Sequence, residues 1–257
     1  MAYKILFIGA HHEEIEAECP NLAAAFALAG CEVTILNPIG GWNWVAIRNL
    51  GPDGRERTIR DAVNAAHELG CEKVIWDYPV ASANRFAGEI MDRMAEFVQQ
   101  FNPDIVLMHW PKDTHADHRL IAKITRHVLE TGPNLTEKRF PDYHGPSEVY
   151  AYQTGPAQAY HFIPDFVINA DEETMKRAKK CIDCFNPTMP RSVKVWEKNF
   201  RTKAGYWGNY TREPAAEALK FMGPALPPDG FLLKKILGNR VVPTTYELYY
   251  YNPDLEL

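Results

Sequence analysis

The sequence predicts an α/β fold in which one mainly parallel sheet is covered by helices on both faces. Three observations support this: short apolar segments alternate with segments of helical periodicity, the apolar segments are nearly continuous, and no hairpin signal joins neighbouring strands. Strands that are apolar on both sides are buried on both faces, as in Rossmann-like sheets whose crossover connections are helices. We therefore expect a single α/β domain of this type.

The first half of the chain supplies four strands and the helices between them. The helix at 21–29 is alanine-rich and stops at Gly30, and the helix at 57–69 stops at Gly70, because glycine favours the left-handed conformation that ends a helix. The predicted strands are 3–9, 31–36, 73–76 and 104–109, and the predicted helices are 21–29, 57–69 and 85–101.

The second half continues the alternation with longer connections. Residues 131–147 are rich in Pro, Gly and charge, which predicts a long loop. Further strands are predicted at 149–153 and 166–169, helices at 172–185 and 195–206, and a proline-rich turn at 224–228. We expect one domain over 1–257, with a core at about 3–221 and a tail at 222–257. The tyrosines at 246–251 either dock on the chain itself or contact a partner subunit in a homo-oligomer.

Composition excludes several classes of function. The chain has 257 residues, of which 46% are hydrophobic, enough for a sizeable core. A net charge of -5 gives no basic field for nucleic acid, and no apolar run approaches the ~20 residues of a membrane helix. Five cysteines and no signal-peptide pattern predict a cytoplasmic protein with reduced thiols, so Cys181 and Cys184 are expected to be structural helix residues.

Two clusters of ionisable residues follow predicted strands. The first motif, His-His-Glu-Glu at 11–14, comes directly after the strand at 3–9, and the second motif, His-Ala-Asp-His at 115–118, follows the strand at 104–109. Ligands of open parallel sheets bind beyond the carboxyl ends of the strands, so the two motifs can meet there. Burying so many ionisable groups is costly unless a metal or a reaction uses them. The pairing therefore indicates a metal-dependent hydrolase.

His11, Glu14 and His118 form the predicted metal-ligand set. Two imidazoles and one carboxylate leave positions open for water and substrate, as in catalytic zinc sites. We expect Zn²⁺, with another divalent cation as the alternative.

The remaining residues of the motifs are candidates for catalysis. Glu13 is free to accept a proton from a metal-bound water. His115 would stabilise the oxyanion or protonate the leaving group, and Asp117 would fix a histidine tautomer.

The chain resembles the PIG-L / LmbE-like family of metal-dependent N-deacetylases, whose hallmark is a strand followed by Ala-His-Pro-Asp-Asp-Glu and, downstream, His-x-Asp-His. Weaker similarities in order and spacing extend the resemblance over roughly 3–221, at 150–153, 164–168, 205–208 and 215–218. The resemblance implies zinc ligation by His11, Glu14 and His118 and base catalysis by Glu13. It also implies oxyanion or acid catalysis by His115, which Asp117 would orient.

The first motif departs from the family pattern. Glu13 and Glu14 replace two aspartates, His12 replaces the proline, and Ile15 replaces the following acidic residue. Each added methylene moves a carboxylate by roughly 1.5 Å, whereas metal distances are held within about 0.2 Å. Either the backbone shifts to restore the metal–ligand distances, or the metal site itself differs from that of the family. His12 itself either packs in the core or surface or adds an imidazole ligand.

Substrate contacts are expected from residues around the predicted pocket. Trp42 either stacks on a sugar face or packs beneath a loop, as does the nearby Trp44. Arg57 and Arg60 either grip an anionic substituent or are solvated charges in the first turns of a helix. Tyr152, at the end of the fifth predicted strand, is the remaining substrate-binding candidate.

The leading interpretation is a zinc-dependent amide hydrolase that deacylates an N-acylated amino sugar or sugar conjugate, a small-molecule substrate. One alternative keeps the metal but changes the reaction to an isomerase or lyase step on a sugar. The other is a non-catalytic descendant that binds sugar or metal. The substrate, the acyl group, the metal and the oligomeric state stay open.

Overall fold

A computed structural model describes residues 2–155 and 158–244, in which eight strands form one sheet with the order β3-β2-β1-β4-β5-β7-β6-β8. The strands are β1 (Lys4–Ile8), β2 (Glu32–Ile39), β3 (Glu72–Tyr78), β4 (Ile105–His109), β5 (Glu148–Tyr152), β6 (Phe166–Asn169), β7 (Ala216–Gly223) and β8 (Val241–Pro243). The α-helices are α1 (Glu14–Glu18), α2 (Pro20–Leu28), α3 (Val45–Arg48), α4 (Gly54–Leu69), α5 (Ala87–Phe101), α6 (Ala116–Leu135), α7 (Glu172–Asp183), α8 (Pro190–Thr211) and α9 (Leu232–Leu237).

The sheet is mainly parallel, as predicted. Strands β3, β2, β1, β4 and β5 are parallel to one another, whereas β7 runs antiparallel between β5 and β6, and β8 is antiparallel to β6. The carboxyl ends of the five parallel strands therefore open on one edge. This is the edge at which both motifs leave the sheet.

Helices cover both faces of the sheet. One core cluster joins alternate residues of the strands, such as Ile5 and Phe7, to apolar residues of α2, α4 and α7, and a second joins Leu6 and Ile8 to α5 and α6. This alternation follows from the two-residue period of a strand, and the continuous apolar runs supply both faces.

Two local predictions need correction. Helix α6 continues to Leu135, so the predicted loop at 131–147 begins later. Proline normally disturbs a helix, but α6 passes through Pro133 while its last turn packs on α5, where Thr136 donates a hydrogen bond to Gln99 at 2.9 Å. Strand β2 also runs past Pro38 to Ile39, with a register shift against β3 at this proline.

The sheet extends beyond the predicted core boundary at about residue 221. That boundary falls within β7, which sequence patterning did not identify as a strand, and β8 lies further along. The tyrosines at 246–251 lie outside the described residues. Cys181 is buried, and the Cys184 thiol donates to the carbonyl of Lys180 at 3.3 Å, so both are free thiols of the end of α7.

The helices of the described ranges, 2–155 and 158–244, include none that is both long enough and apolar enough to cross a bilayer.

Candidate active site

The two motifs meet in a cavity of about 380 Å³ at the carboxyl edge of the parallel strands. His11, Glu13 and Glu14 reach it from the end of β1, and His115 and His118 reach it from the start of α6. Helix α1, the segment at 41–44 and helix α8 form the other walls. The topology thus places the residues of both motifs in one cavity, as the sequence predicts.

Glu14 is the centre of the polar network. Its Oε1 lies 2.7 Å from Nδ1 of His11 and also contacts Nε2 of His118, and its Oε2 lies 2.6 Å from Nε2 of His109. The backbone N–H groups of Ala10 and His11 donate to Oε2 at 2.6 and 3.1 Å. Burial alone would raise the pKa of Glu14, but the three imidazoles hold it well below the usual range.

The two imidazoles of the predicted ligand set are oriented by aspartates. Nε2 of His11 lies 3.1 Å from Oδ2 of Asp117, and Nδ1 of His118 lies 3.1 Å from Oδ2 of Asp113. Burial favours neutral imidazoles, but Glu14 together with these aspartates outweighs it and raises the pKa of each of the two histidines to about 10. Carboxylate partners of this kind also orient metal-binding histidines.

Asp117 has a different partner from the one expected. Its carboxylate contacts His11 and accepts a hydrogen bond from the N–H of Ala81 at 2.8 Å, rather than orienting His115. The reason is its position in the first turn of α6, where the side chain reaches back towards the ends of β1 and β3. Its backbone N–H donates to Nδ1 of His115 at 3.2 Å, which leaves the proton of the neutral ring on Nε2.

Glu13 lines the cavity with a carboxylate that has few partners. It is 7% exposed, and its Oε2 has no hydrogen-bond partner among the described residues. Burial raises the pKa of Glu13 above the usual value. The nearest cationic candidate is His12, whose Nδ1 lies 3.3 Å away, but burial lowers the pKa of His12 to about 3 and keeps that ring neutral.

His109 and Asp113 belong to the site although neither was predicted to do so. The His109 ring stacks on the His118 ring at a centroid distance of 4.3 Å. Asp113 accepts hydrogen bonds from the hydroxyl of Thr154 at 2.6 Å and from the N–H of His115 at 2.7 Å. Their positions in the sequence could have indicated this: His109 ends a buried strand on the same edge as β1, and Asp113 lies two residues before the second motif.

The four predicted substrate-binding residues do not line this cavity. Trp42 stacks on the buried His12 ring at a centroid distance of 5.7 Å, in space that Gly40 leaves free. Tyr152 is buried behind the site, with its hydroxyl 3.1 Å from the His109 ring. Arg57 and Arg60 lie on α4, away from the cavity wall. Trp44, by contrast, does line the cavity and is 39% exposed.

The donor set fits a divalent transition-metal cation. One nitrogen each of His11, His115 and His118 lie within 4.8 Å of one another, as do single donor atoms of Glu14, His109 and His118. Imidazole nitrogen with one carboxylate is the ligand chemistry of zinc and its neighbours in the transition series. His118 belongs to both groups, so it is the residue common to every such arrangement in the described part of the chain.

Two lysine–glutamate pairs flank the site on α1. Lys73 and Glu16 form a pair with N–O distance 2.5 Å in which both side chains are fully buried. Lys203 and Glu18 form a second pair, and there the glutamate side chain is 14% exposed at the cavity wall.

The family model described as "PIG-L: GlcNAc-PI de-N-acetylase" matches residues 6–129. No curated protein sequence is significantly similar to the chain.

Solved structures share the fold at low sequence identity. The 4-carboxy-2-hydroxymuconate hydratase GalB of Pseudomonas putida KT2440 aligns with a TM-score of 0.71 at 18% identity, over 88% of this chain and 98% of its own. The N,N'-diacetylchitobiose deacetylase of Pyrococcus horikoshii aligns with a TM-score of 0.71 at 17% identity, over 86% of this chain and 84% of its own. A zinc-inhibited form of the teicoplanin deacetylase Orf2 aligns with a TM-score of 0.65 at 13% identity, over 86% of this chain and 100% of its own.

At these identities the structural likeness establishes the fold alone, and the family match covers the segment that contains both motifs. The resemblance to the PIG-L / LmbE-like family that the motifs predict is thereby confirmed over residues 6–129.

Proposed function

We propose that this chain is a metal-dependent amide hydrolase that removes an acyl group from an N-acylated amino sugar. The observation that carries the proposal is the presence of Glu13, with an unpartnered carboxylate oxygen, in the same cavity as His11, His115 and His118. The PIG-L match and the deacetylases among the structural neighbours support it.

We assign the cation to His11, Glu14 and His118. Of these, His11 and His118 form one group of close donors with His115, and Glu14 and His118 form another with His109. When bound, a divalent cation supplies Lewis acidity towards the amide carbonyl and lowers the pKa of water. We propose Zn²⁺, and other divalent cations belong in the same experiments because one neighbour is described as zinc-inhibited.

Glu13 acts as the general base and then as the general acid. Its buried carboxylate has a raised pKa, which brings the group closer to the neutral range in which a base works best. It accepts a proton from the attacking water and delivers one to the departing amine nitrogen. The Glu13 side chain is 10% exposed at the cavity, and no described residue donates a hydrogen bond to its Oε2, so no neighbouring donor competes for the carboxylate there.

His115 stabilises the negative charge that develops on the carbonyl oxygen. Burial and the neighbouring histidines lower its pKa, so the ring is neutral at pH 7 and donates through Nε2. A donor that is already oriented costs no reorganisation during the reaction.

The test is release of the acid from N-acetylglucosamine and N,N'-diacetylchitobiose by protein supplied with each divalent metal. We expect Glu13→Gln to reduce the rate by about 10²–10⁴-fold while metal binding persists, because only the proton transfer is lost. We expect His118→Ala to lose both metal and activity. Glu130→Gln, an exposed change on α6, is the control for charge removal. Unchanged activity in Glu13→Gln or His118→Ala would rule out the assigned mechanism.

The second candidate is a non-hydrolytic reaction such as hydration, because a hydratase shares the fold. Product analysis separates the two, since only deacylation releases an acid and a free amine. The third candidate is a non-catalytic binding protein, which would retain metal and sugar affinity without forming any product.

A further inference from the structure

Glu18 stands on the cavity wall one helical turn beyond Glu14. Residues four apart on a helix share a face and lie about 6 Å apart along its axis. Ala17 and Glu18 both line the cavity, so the far end of α1 faces a ligand bound at the two motifs. This separation is comparable to the width of one sugar ring.

Lys203 holds the Glu18 side chain in place, and all three N–H donors of its ammonium group make hydrogen bonds. Its ammonium donates to Oε2 of Glu18, to the carbonyl of Glu18 at 2.8 Å and to the carbonyl of Gln153 at 2.9 Å. A lysine has three N–H donors, so none is left for a ligand. The pair therefore presents a hydrogen-bond acceptor to the cavity, not a cation.

The free acceptor is Oε1 of Glu18. In the described part of the chain this oxygen has no hydrogen-bond partner. It is also not among the fully buried side-chain atoms that lack one. Held at one oxygen and open at the other, the carboxylate is preorganised to accept a hydrogen bond from a ligand.

Apart from the histidines of the two motifs, the wall carries no cationic side chain in the described part of the chain, and Gln158 and Asn199 are neutral amides. Trp44, Val195 and Trp196 give apolar and aromatic surface, and no arginine or lysine of the described ranges lines the cavity. At the Glu18 end of the cavity, beyond the histidines of the two motifs, a phosphate or carboxylate on the substrate would meet a carboxylate and no lysine or arginine side chain free to pair with it. A hydroxyl or an ammonium group would instead be paired.

We infer that Glu18, positioned by Lys203, determines substrate specificity by accepting a hydrogen bond from a hydroxyl or ammonium group of the substrate. The inference rests on the proposed function and names its substrate class: uncharged or amine-bearing N-acyl sugars, as opposed to sugar phosphates and acidic sugars.

The experiment measures binding and acetate release with three probes. They are N-acetylglucosamine, N-acetylglucosamine 6-phosphate and the chitobiose that carries one acetyl and one free amine. Wild-type protein is expected to prefer the amine-bearing probe and to bind the phosphate most weakly. Glu18→Gln is expected to reduce the preference for amine over phosphate by about 10–100-fold, since hydrogen bonds to charged groups contribute about 1.5–3 kcal/mol.

Glu16→Gln is the matched control. It removes a charge from the other lysine–glutamate pair of α1, which is sealed from the cavity, and is expected to keep the wild-type ratio. The double variant Glu18→Gln, Lys203→Met leaves no unpaired lysine and is expected to lose the amine preference without gaining affinity for phosphate. A ratio of affinities does not depend on the folded fraction, so partial unfolding does not imitate the effect.

An amine-to-phosphate ratio within about twofold of wild type in both Glu18 variants overturns the inference. If acetate is released and the ratio is unchanged, the inference fails while the proposed function stands. If the Glu18 variants alter the ratio of binding but no acetate is released, the proposed function fails and Glu18 remains a determinant of ligand binding.

Discussion

On one side of the site Asp113 and Asp117 each contact a single histidine, whereas on the other side the one carboxylate of Glu14 is surrounded by three histidines. Asp113 contacts His118 from behind, while Glu14 contacts His11, His109 and His118 and also accepts from two backbone N–H groups. The Glu14 carboxylate reaches back to the end of β1, where the N–H groups of Ala10 and His11 hold it in place.

The pH dependence of metal affinity gives the largest expected effect and compares the two motifs directly. The pKa of His11 in the first motif and of His118 in the second is raised to about 10, so at neutral pH a metal must displace a proton from each. Affinity therefore increases with pH. The logarithm of the apparent affinity should rise by up to about 2 per pH unit between about pH 6 and 8.

The measurement is competition with a chromophoric chelator across that pH range. His11→Asn and His118→Asn should each lower the slope by about one, since each removes one displaced proton. A slope near zero in the wild type would contradict the assignment of these ligands.

Glu14→Gln should have the next largest effect. It removes the anion shared by three imidazoles, and breaking such a buried arrangement costs about 3–5 kcal/mol of unfolding free energy. Metal affinity should fall by more than about 100-fold, beyond the effect of losing an outer partner. Urea denaturation and the chelator competition test both.

Glu148→Gln is the matched control for Glu14→Gln. Glu148 is also buried and accepts from backbone N–H groups, of Leu232 and Leu233, but has no imidazole partner. Equal losses of metal affinity in the two variants would show that Glu14 acts only through the backbone.

Asp113→Asn tests a residue that contacts the proposed metal ligand His118 but is not itself a proposed ligand. Loss of the carboxylate behind His118 should weaken metal binding by about 10–100-fold, as for other partners of metal-binding histidines. The expected signature is a weaker complex with normal stoichiometry. Wild-type affinity in this variant would mean that the contact between Asp113 and His118 does not orient the ring.

His12→Phe should have the smallest effect and decides the role of the residue that replaces the family proline. Both ring nitrogens of His12 are buried without hydrogen-bond partners, and the ring stacks on Trp42. An apolar ring of similar shape should leave metal affinity unchanged and the unfolding midpoint unchanged or higher. A marked loss of metal would identify His12 as a ligand.

Strands β1 to β4 were predictable because each is an apolar run followed by a helix. In the antiparallel part the pattern located β6 but not β7, which carries Glu217, a buried acid that accepts hydrogen bonds from Asn21 and from the N–H of Leu22. That polar residue interrupts the apolar pattern, and its partner is about two hundred residues away.

The sequence predicted the two motifs of the site and their meeting at one edge of the sheet. It did not predict the individual contacts between their side chains. His11, Glu13, Glu14, His115 and His118 meet because they follow neighbouring parallel strands. The partner of Asp117 depends on side-chain direction, and the contribution of His109 depends on strand order, neither of which periodicity reports. Trp42 and Arg57 were predicted near the rim from their position along the chain, but neither lines the cavity, and their role in substrate binding stays a prediction.

The anchoring of Lys203 also bears on how molecules enter and leave. Helix α8 is fastened near its middle to α1 and to the residue after β5, so swinging it outward would break all three bonds of a buried ammonium. The opposite rim is a short segment that turns at Gly41, at a φ of 70°, and carries the partly exposed Trp44. Because Lys203 holds α8 in place, we expect molecules to reach the cavity past the segment that carries Trp44.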